Sequence, residues 1–136
     1  MSNAPAPITL GAHHIGFTVL DLARTRDFFT RVLGFELVGE KPSYPAAFVS
    51  DGTIMLTLWQ VPDRGNAVPF DRKRGIGLHH FALRVADEAA LEEVHRRLVA
   101  EDDVEIEFCP EPLGEGPVRH MMCTIPGGIR MEVIAA

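Results

Sequence analysis

Residues 13–37 decide the fold of this chain, and they read HHIGFTVLDLARTRDFFTRVLGFEL. Apolar and polar residues alternate along the first part, which is typical of a strand with one buried face. Asp21 then stands where a helix N-cap is expected, and Phe28, Phe29, Val32 and Leu33 recur at helical spacing. Gly34 follows as a helix stop. The stretch therefore predicts a strand followed by a helix.

The same order recurs in the second half of the chain. Residues 79–106 read HHFALRVADEAALEEVHRRLVAEDDVEI, in which Asp87 is the capping residue and His80 lies 66 positions after His14. Leu91, Val94 and Leu98 then recur at helical spacing. Three strand-like runs follow each helix: 35–40, 46–50 and 53–60, then 104–109, 118–124 and 129–134. The repeat predicts an α+β fold made of two βαβββ modules.

The module boundaries follow from composition. The modules are predicted at about residues 11–61 and 77–136 of a single domain, 11–136, after a flexible tail at residues 1–10. Residues 62–77 read PDRGNAVPFDRKRGIG and predict an exposed connector. Its basic cluster, Arg72 to Arg74, is expected to be solvated surface, with closure over a ligand as the less favoured role.

Size and charge exclude several classes of function. The chain has 136 residues and a net charge of −6, which suits one soluble domain. Because it has no basic tract, nucleic acid and anionic membranes are not expected partners. No signal peptide and no membrane-spanning apolar run is recognisable, so a cytoplasmic location is predicted, with Cys109 and Cys123 as reduced thiols.

Strand phase selects three candidate side chains. Burying Ile15, Phe17 and Val19 turns His14 to the other face of its strand, and burying Phe81, Leu83 and Val85 does the same for His80. The last strand lies in PGGIRMEVIA, residues 126–135, where burial of Ile129, Met131 and Val133 turns out Glu132. If the two modules form one curved sheet, His14, His80 and Glu132 can converge.

Two imidazoles and one carboxylate suit a divalent metal ion such as Fe, Mn, Zn or Ni. The remaining coordination positions would take water or substrate. Taken singly, each residue is better explained as a hydrogen-bonded or solvated side chain. Their equivalent places in a repeat favour the metal site.

Four further residues are candidates for substrate binding. Thr57 and Trp59 share a strand face, so the indole is either an aromatic wall of a pocket or part of the core. Arg84 and Arg130 lie in the same phase as the proposed ligands, where they would bind an anion or hold Glu132 in place; solvated arginines are the alternative.

These motifs resemble the vicinal oxygen chelate superfamily, which includes glyoxalase I, the bleomycin and fosfomycin resistance proteins and the extradiol dioxygenases. The resemblance covers residues 12–134, through HHIGFTVLDL, FFTRVLGFEL, LHHFALRV and PGGIRMEV. It implies a cup-shaped mixed sheet, a homodimer, and metal ligands at His14, His80 and Glu132. It also implies a small substrate whose neighbouring oxygens chelate the ion, which acts as a Lewis acid.

Two departures guide the choice of reaction. Glyoxalase I-like sites carry a fourth ligand, a carboxylate, on the strand that here reads GTIMLTLWQ, residues 52–60, and either Thr57 or Leu56 takes that place. The resemblance therefore favours a fosfomycin-resistance-type or dioxygenase-type site. Residues 116–133, GPVRHMMCTIPGGIRMEV, are similar to the extradiol enzymes and suggest His120 as acid or base; a surface histidine is the alternative.

A protein that sequesters a small molecule or antibiotic is the alternative to an enzyme. Bleomycin resistance proteins of the same superfamily typically lack the metal ligands. Retention of both histidines and the glutamate therefore favours the enzyme.

Overall fold

The computed structural model describes residues 3–136. The order strand, helix, three strands is confirmed in both halves: β1 His14–Val19, α1 Leu22–Asp27, β2 Glu36–Lys41, β3 Ala46–Ser50, β4 Met55–Gln60, β5 Phe81–Val85, α2 Glu88–Val99, β6 Glu105–Pro112, β7 Arg119–Thr124 and β8 Arg130–Ala135. Residues 3–10 have no regular secondary structure, and the first two residues of the predicted tail lie outside the described chain. No helix in residues 3–136 has the length and apolar character needed to span a bilayer.

Each module forms its own four-stranded mixed sheet. The strand orders are β1-β4-β3-β2 in the first module, here sheet A, and β5-β8-β7-β6 in the second, sheet B. β1 runs parallel to β4, β5 runs parallel to β8, and the other neighbours are antiparallel. The predicted α+β fold of two βαβββ modules is confirmed. β1 and β5, which follow or carry the tandem histidines, are both edge strands.

Both helices begin at the predicted caps. Asp21 Oδ1 accepts the Arg24 N–H at 3.1 Å, and Asp87 Oδ1 accepts the Ala90 N–H at 2.9 Å. The first helix differs from the regular helix expected, because it continues as a π-helical segment over Phe28–Val32. The wider turn lets two consecutive aromatic side chains, Phe28 and Phe29, be fully buried.

One apolar core joins the two modules. The Phe81 ring of β5 lies 4.8 Å from the Phe17 ring of β1 and 6.5 Å from the Phe29 ring, measured between centroids. Leu56 of β4 and Met131 of β8 are fully buried in the same cluster. Because the core is continuous, the two sheets share one apolar core.

A charge network joins the modules on the outside. The Arg24 guanidinium of α1 binds Asp103, after α2, through Nε at 2.6 Å and lies 3.2 Å from the Glu101 carboxylate. Arg31 binds Glu101 as well and also binds Asp27. The hydrogen bond from Arg24 holds the pKa of Asp103 below its ordinary value, and that from Arg31 does the same for the pKa of Glu101.

Candidate functional site

Three polar side chains meet on the face of sheet B that points away from the apolar core, which we call the outer face. They are His80, His120 and Glu132, and we call them the Glu132 cluster. His80 immediately precedes β5, His120 lies on β7, and Glu132 lies on β8 between the buried Met131 and Val133. Glu132 Oε1 lies 3.4 Å from His80 Nε2, and Oε2 lies 2.5 Å from His120 Nδ1. Glu132 and His120 are only 13% and 12% exposed, so the carboxylate is held in a largely dry environment.

The contact with His120 has a chemical consequence. A carboxylate only accepts hydrogen bonds, so the 2.5 Å contact requires a proton on His120 Nδ1. In a neutral imidazole this leaves Nε2 as the basic nitrogen. The Phe108 ring packs on the imidazole with centroids 4.9 Å apart and fixes its plane. His120 is the second residue of β7, and its side chain is 12% exposed.

His14 is not part of the Glu132 cluster within one chain. The His14 imidazole contacts His13, and in the part of the chain that the structure describes it has no contact with His80, His120 or Glu132. In residues 3–136, no three His, Cys, Asp or Glu side chains are arranged to hold a metal ion.

Tandem histidines occupy equivalent places at the two edge strands. The Nδ1 atoms of His13 and His14 are 2.9 Å apart, and those of His79 and His80 are 2.7 Å apart. The rings of both pairs meet edge to face. The repeat seen in the sequence is thus reproduced in side-chain geometry.

Arg130 is the one charged residue that is buried in residues 3–136, with 8% of its surface exposed. Its guanidinium binds the Glu107 carboxylate of β6 through two hydrogen bonds, of 3.0 and 2.6 Å, and one of its nitrogens is 3.4 Å from His79 Nδ1. The hydrogen bond from Arg130 lowers the pKa of Glu107. Desolvation, and then the Arg130 charge, lower the pKa of His79. The structure therefore pairs Arg130 with Glu107, and not with Glu132.

Arg84 has a different surrounding. It is exposed on β5, and its Nε donates to the backbone carbonyl of Ala136 at 3.0 Å. This contact fastens the last residue of the chain to sheet B.

The equivalent face of sheet A is aromatic. Trp59 Nε1 donates to Thr57 Oγ1 at 2.9 Å, and the indole meets the rings of Tyr44 and Phe48 edge to face. Gly16 lies opposite Thr57 on β1, and a Cβ there would come within 3.0 Å of Thr57 Oγ1. The missing side chain at Gly16 thus leaves room for the bonded pair of Thr57 and Trp59.

Strand register decides between Thr57 and Leu56. Gly16 pairs with Thr57 in sheet A, and Ala82, the residue 66 positions after Gly16, pairs with Glu132 in sheet B. Thr57 is therefore the counterpart of Glu132. Leu56 is the counterpart of Met131 and is fully buried.

An apolar groove, which we call the connector groove, lies beside the connector. It has a volume of about 620 Å³ and lies between the end of β1, the connector and the turn before β8. Val68, Phe70 and Leu78 line it from the connector side. Sequence reasoning treated the connector as exposed loop and missed this groove; the apolar residues among its prolines were the available signal.

Comparisons with known proteins agree with the architecture. A family model described as Glyoxalase/Bleomycin resistance protein/Dioxygenase superfamily matches residues 11–133. A curated 2-epi-5-epi-valiolone epimerase from an Actinomyces species is 28% identical, with 98% of this chain and 84% of that protein covered.

Solved structures of the same architecture are similar to the chain. A glyoxylase/bleomycin resistance protein/dioxygenase domain from Frankia has a TM-score of 0.80 at 21% identity, over 94% of this chain and 98% of that one. A fosfomycin resistance protein from Listeria monocytogenes has a TM-score of 0.73 at 19% identity, over 95% of both chains. At these identities the likeness concerns the fold alone.

Proposed function

The chain belongs to the Glyoxalase/Bleomycin resistance protein/Dioxygenase superfamily, and from that premise we propose that it is a metal-dependent enzyme acting on a small oxygenated substrate. The observation that carries the proposal is the Glu132 cluster, where a carboxylate sits between two imidazoles on the outer face of a sheet. A structural ion pair would not need a second histidine at that carboxylate.

The donor set fits a divalent transition metal. His80 Nε2 and Glu132 Oε1 are 3.4 Å apart, a separation that two ligands of one ion can have. An imidazole nitrogen and a carboxylate oxygen suit Fe, Mn, Zn or Ni. When bound, such an ion would act as a Lewis acid on two neighbouring substrate oxygens.

The third proposed ligand is His14 of a second copy of the chain. Within one chain, His14 contacts His13 and none of the residues of the Glu132 cluster, so we propose that another molecule completes the triad. β1 and β5 are edge strands, whose backbone groups can pair with another chain. This arrangement supports the expected homodimer.

His120 is the proposed acid or base. Its Nδ1 proton is held by Glu132, so Nε2 is free to take a proton from the substrate and return it. Glu132 would stabilise the imidazolium formed in this step, as carboxylates do in other carboxylate–histidine pairs. Thr57 leaves the position of a fourth ligand without a carboxylate, and Trp59 would form the opposite wall of the site.

Proton transfer is the reaction class that these residues favour. The similar curated protein is named an epimerase, and epimerisation removes and returns one proton. Fosfomycin-resistance-type chemistry is compatible with the same ligands. A dioxygenase reaction remains a prediction that requires a redox-active ion.

Sequestration of a small molecule is the second candidate. The connector groove favours it, because an apolar cavity of about 620 Å³ can hold a drug-sized ligand without a metal.

Metal content per chain, measured by elemental analysis after purification without chelators, tests the proposal. We expect near-stoichiometric Fe, Mn, Zn or Ni in the native protein and at least a tenfold loss in Glu132→Ala. Thr57→Val is the matched control, because it alters the equivalent position of sheet A; it should retain the metal. His14→Ala should also lose it.

Absence of metal after reconstitution of the native protein would contradict the enzyme proposal. Equal metal content in native protein and Glu132→Ala would show that the ion binds elsewhere. Ligand binding that persists without metal would support sequestration.

A further inference from the structure

A second, smaller cavity lies on the same face of sheet B as the Glu132 cluster. We call it the cationic pocket: it has a volume of about 290 Å³ and is lined by Phe70, Asp71, Arg72, Lys73, Thr124, Gly128 and Arg130. Three of these side chains are cationic. The pocket lies between the connector and the beginning of β8. Its positive charge therefore comes from residues that are far apart in the sequence.

Register places the cationic pocket next to the Glu132 cluster. Thr124 pairs with Arg130 across β7 and β8, and Met122 pairs with Glu132 two residues further along. Residues two apart on a strand share a face and are about 7 Å apart. A small molecule held at Glu132 can therefore place another group in the pocket.

The charges in the pocket are fixed in place. Arg130 binds Glu107 through two hydrogen bonds, and Arg72 approaches the same carboxylate at 3.5 Å. Glu107 thus neutralises one charge while it positions two guanidinium groups. Asp71 is the other carboxylate at the pocket, and its Oδ1 accepts the backbone N–H of Lys73 at 2.9 Å.

Lys73 supplies the excess positive charge. In the described part of the chain its ammonium group forms no ion pair. With three cations against Glu107 and Asp71, the pocket keeps a net positive charge. The Thr124 hydroxyl adds a neutral donor on the same face.

We propose that the cationic pocket binds an anionic group of the substrate, a phosphate or a carboxylate, through Arg72, Lys73, Thr124 and Arg130. The inference rests on the proposed function, since it assigns the pocket to the substrate held at the Glu132 cluster. It specifies a substrate class: a small molecule with two neighbouring oxygens at one end and an anionic group a few bonds away. Arginine, lysine and hydroxyl donors are the groups that recognise such anions.

Binding of inorganic phosphate and of acetate to the full chain tests the inference. Backbone amide shifts in two-dimensional NMR would be followed during titration at constant ionic strength with EDTA present, so that no metal contributes. We expect saturable shifts at Lys73, Thr124 and Gly128 with one of the two anions. Lys73→Gln should weaken that binding about fivefold or more.

Arg74→Gln is the matched control. It removes an equal charge from the next residue of the connector, outside the pocket lining, and should change the affinity less than twofold. Saturation by phosphate alone assigns a phosphoryl group, and saturation by acetate assigns a carboxylate.

Two outcomes would overturn the inference: no saturable shifts with either anion, or equal weakening by Lys73→Gln and Arg74→Gln. Because the titration contains no metal, these outcomes are independent of the metal analysis. If the separate metal analysis finds no metal in the native protein while the anion still saturates the pocket, the enzyme proposal fails and the anion site stands.

Discussion

Thr57 and Glu132 hold the same position in the two modules, yet their surroundings differ completely. The Thr57 hydroxyl accepts a hydrogen bond from an indole beside two further aromatic rings. The Glu132 carboxylate contacts two imidazoles. The next position on the same face differs as well: two residues before Glu132, sheet B has the buried Arg130, and the equivalent residue of sheet A is Met55.

The buried rows of the two sheets have not diverged in this way. Leu56 and Met131 are equivalent and equally buried in one core. Successive residues of a strand face opposite sides of the sheet. The residues that face the core can therefore stay apolar while those on the outer face change freely. The comparison teaches that the two faces of a repeated βαβββ unit have different roles. The inner face specifies the fold, and the outer face specifies the chemistry.

Equivalent core truncations are the strongest test of the shared inner face. Leu56→Ala and Met131→Ala should each lower the free energy of unfolding by about 2–5 kcal/mol, because both leave cavities in the same cluster. Urea denaturation followed by circular dichroism measures this. Leu37→Ala, on the exposed strand β2, is the control and should cost less than about 1 kcal/mol. Two separate transitions would contradict a common core.

Making sheet B resemble sheet A at one outer position should have a smaller effect. Arg130→Met substitutes the counterpart residue Met55 and removes the double hydrogen bond to Glu107. Because Glu107 is about one-third exposed and can be solvated, we expect a loss of about 1–2 kcal/mol at pH 7.

The pH dependence of that loss has a definite sign. Arg130 lowers the pKa of Glu107 in the folded state, so the pair stabilises the fold above the ordinary carboxyl pKa and loses this contribution as the pH falls through the lowered value. The difference in stability between native protein and variant should therefore shrink from pH 6 towards pH 3. A difference that grows on acidification would contradict the pairing.

The smallest effect is expected in sheet A. Thr57→Val keeps the shape of the side chain and removes the acceptor of the Trp59 N–H, which should cost about 1 kcal/mol. Trp59 is the single tryptophan, so its fluorescence reports the change directly. An unchanged emission spectrum would show that the hydroxyl does not position the indole.

Much of this fold could be predicted from the sequence because it depends on local patterns. Alternation predicted the strands, and Asp21 and Asp87 were recognisable as caps from their place before each helix. The π-helical segment was not predictable, since it results from burying Phe28 and Phe29 together in a core shared with the other module.

The candidate site was predictable only in part. Strand phase predicted that His80 and Glu132 share one face of sheet B, where they lie 3.4 Å apart, whereas His120 was suggested by the resemblance to extradiol enzymes. The pairing of Arg130 with Glu107 and the apolar and cationic linings of the connector depend on how distant segments pack, which periodicity does not report. For the same reason, the sequence alone did not separate His14 from the other proposed ligands.

The bridge from Arg24 to Asp103 and Glu101 has a consequence for behaviour in concentrated salt. Its groups are partly open to solvent, so mobile ions weaken it, whereas the aromatic contacts between Phe17, Phe29 and Phe81 are unaffected or strengthened. Concentrated salt would thus weaken the ion pairs between the two modules while leaving the aromatic contacts between them intact. The charged contact between the modules is therefore expected to be sensitive to salt, and the apolar contact is not.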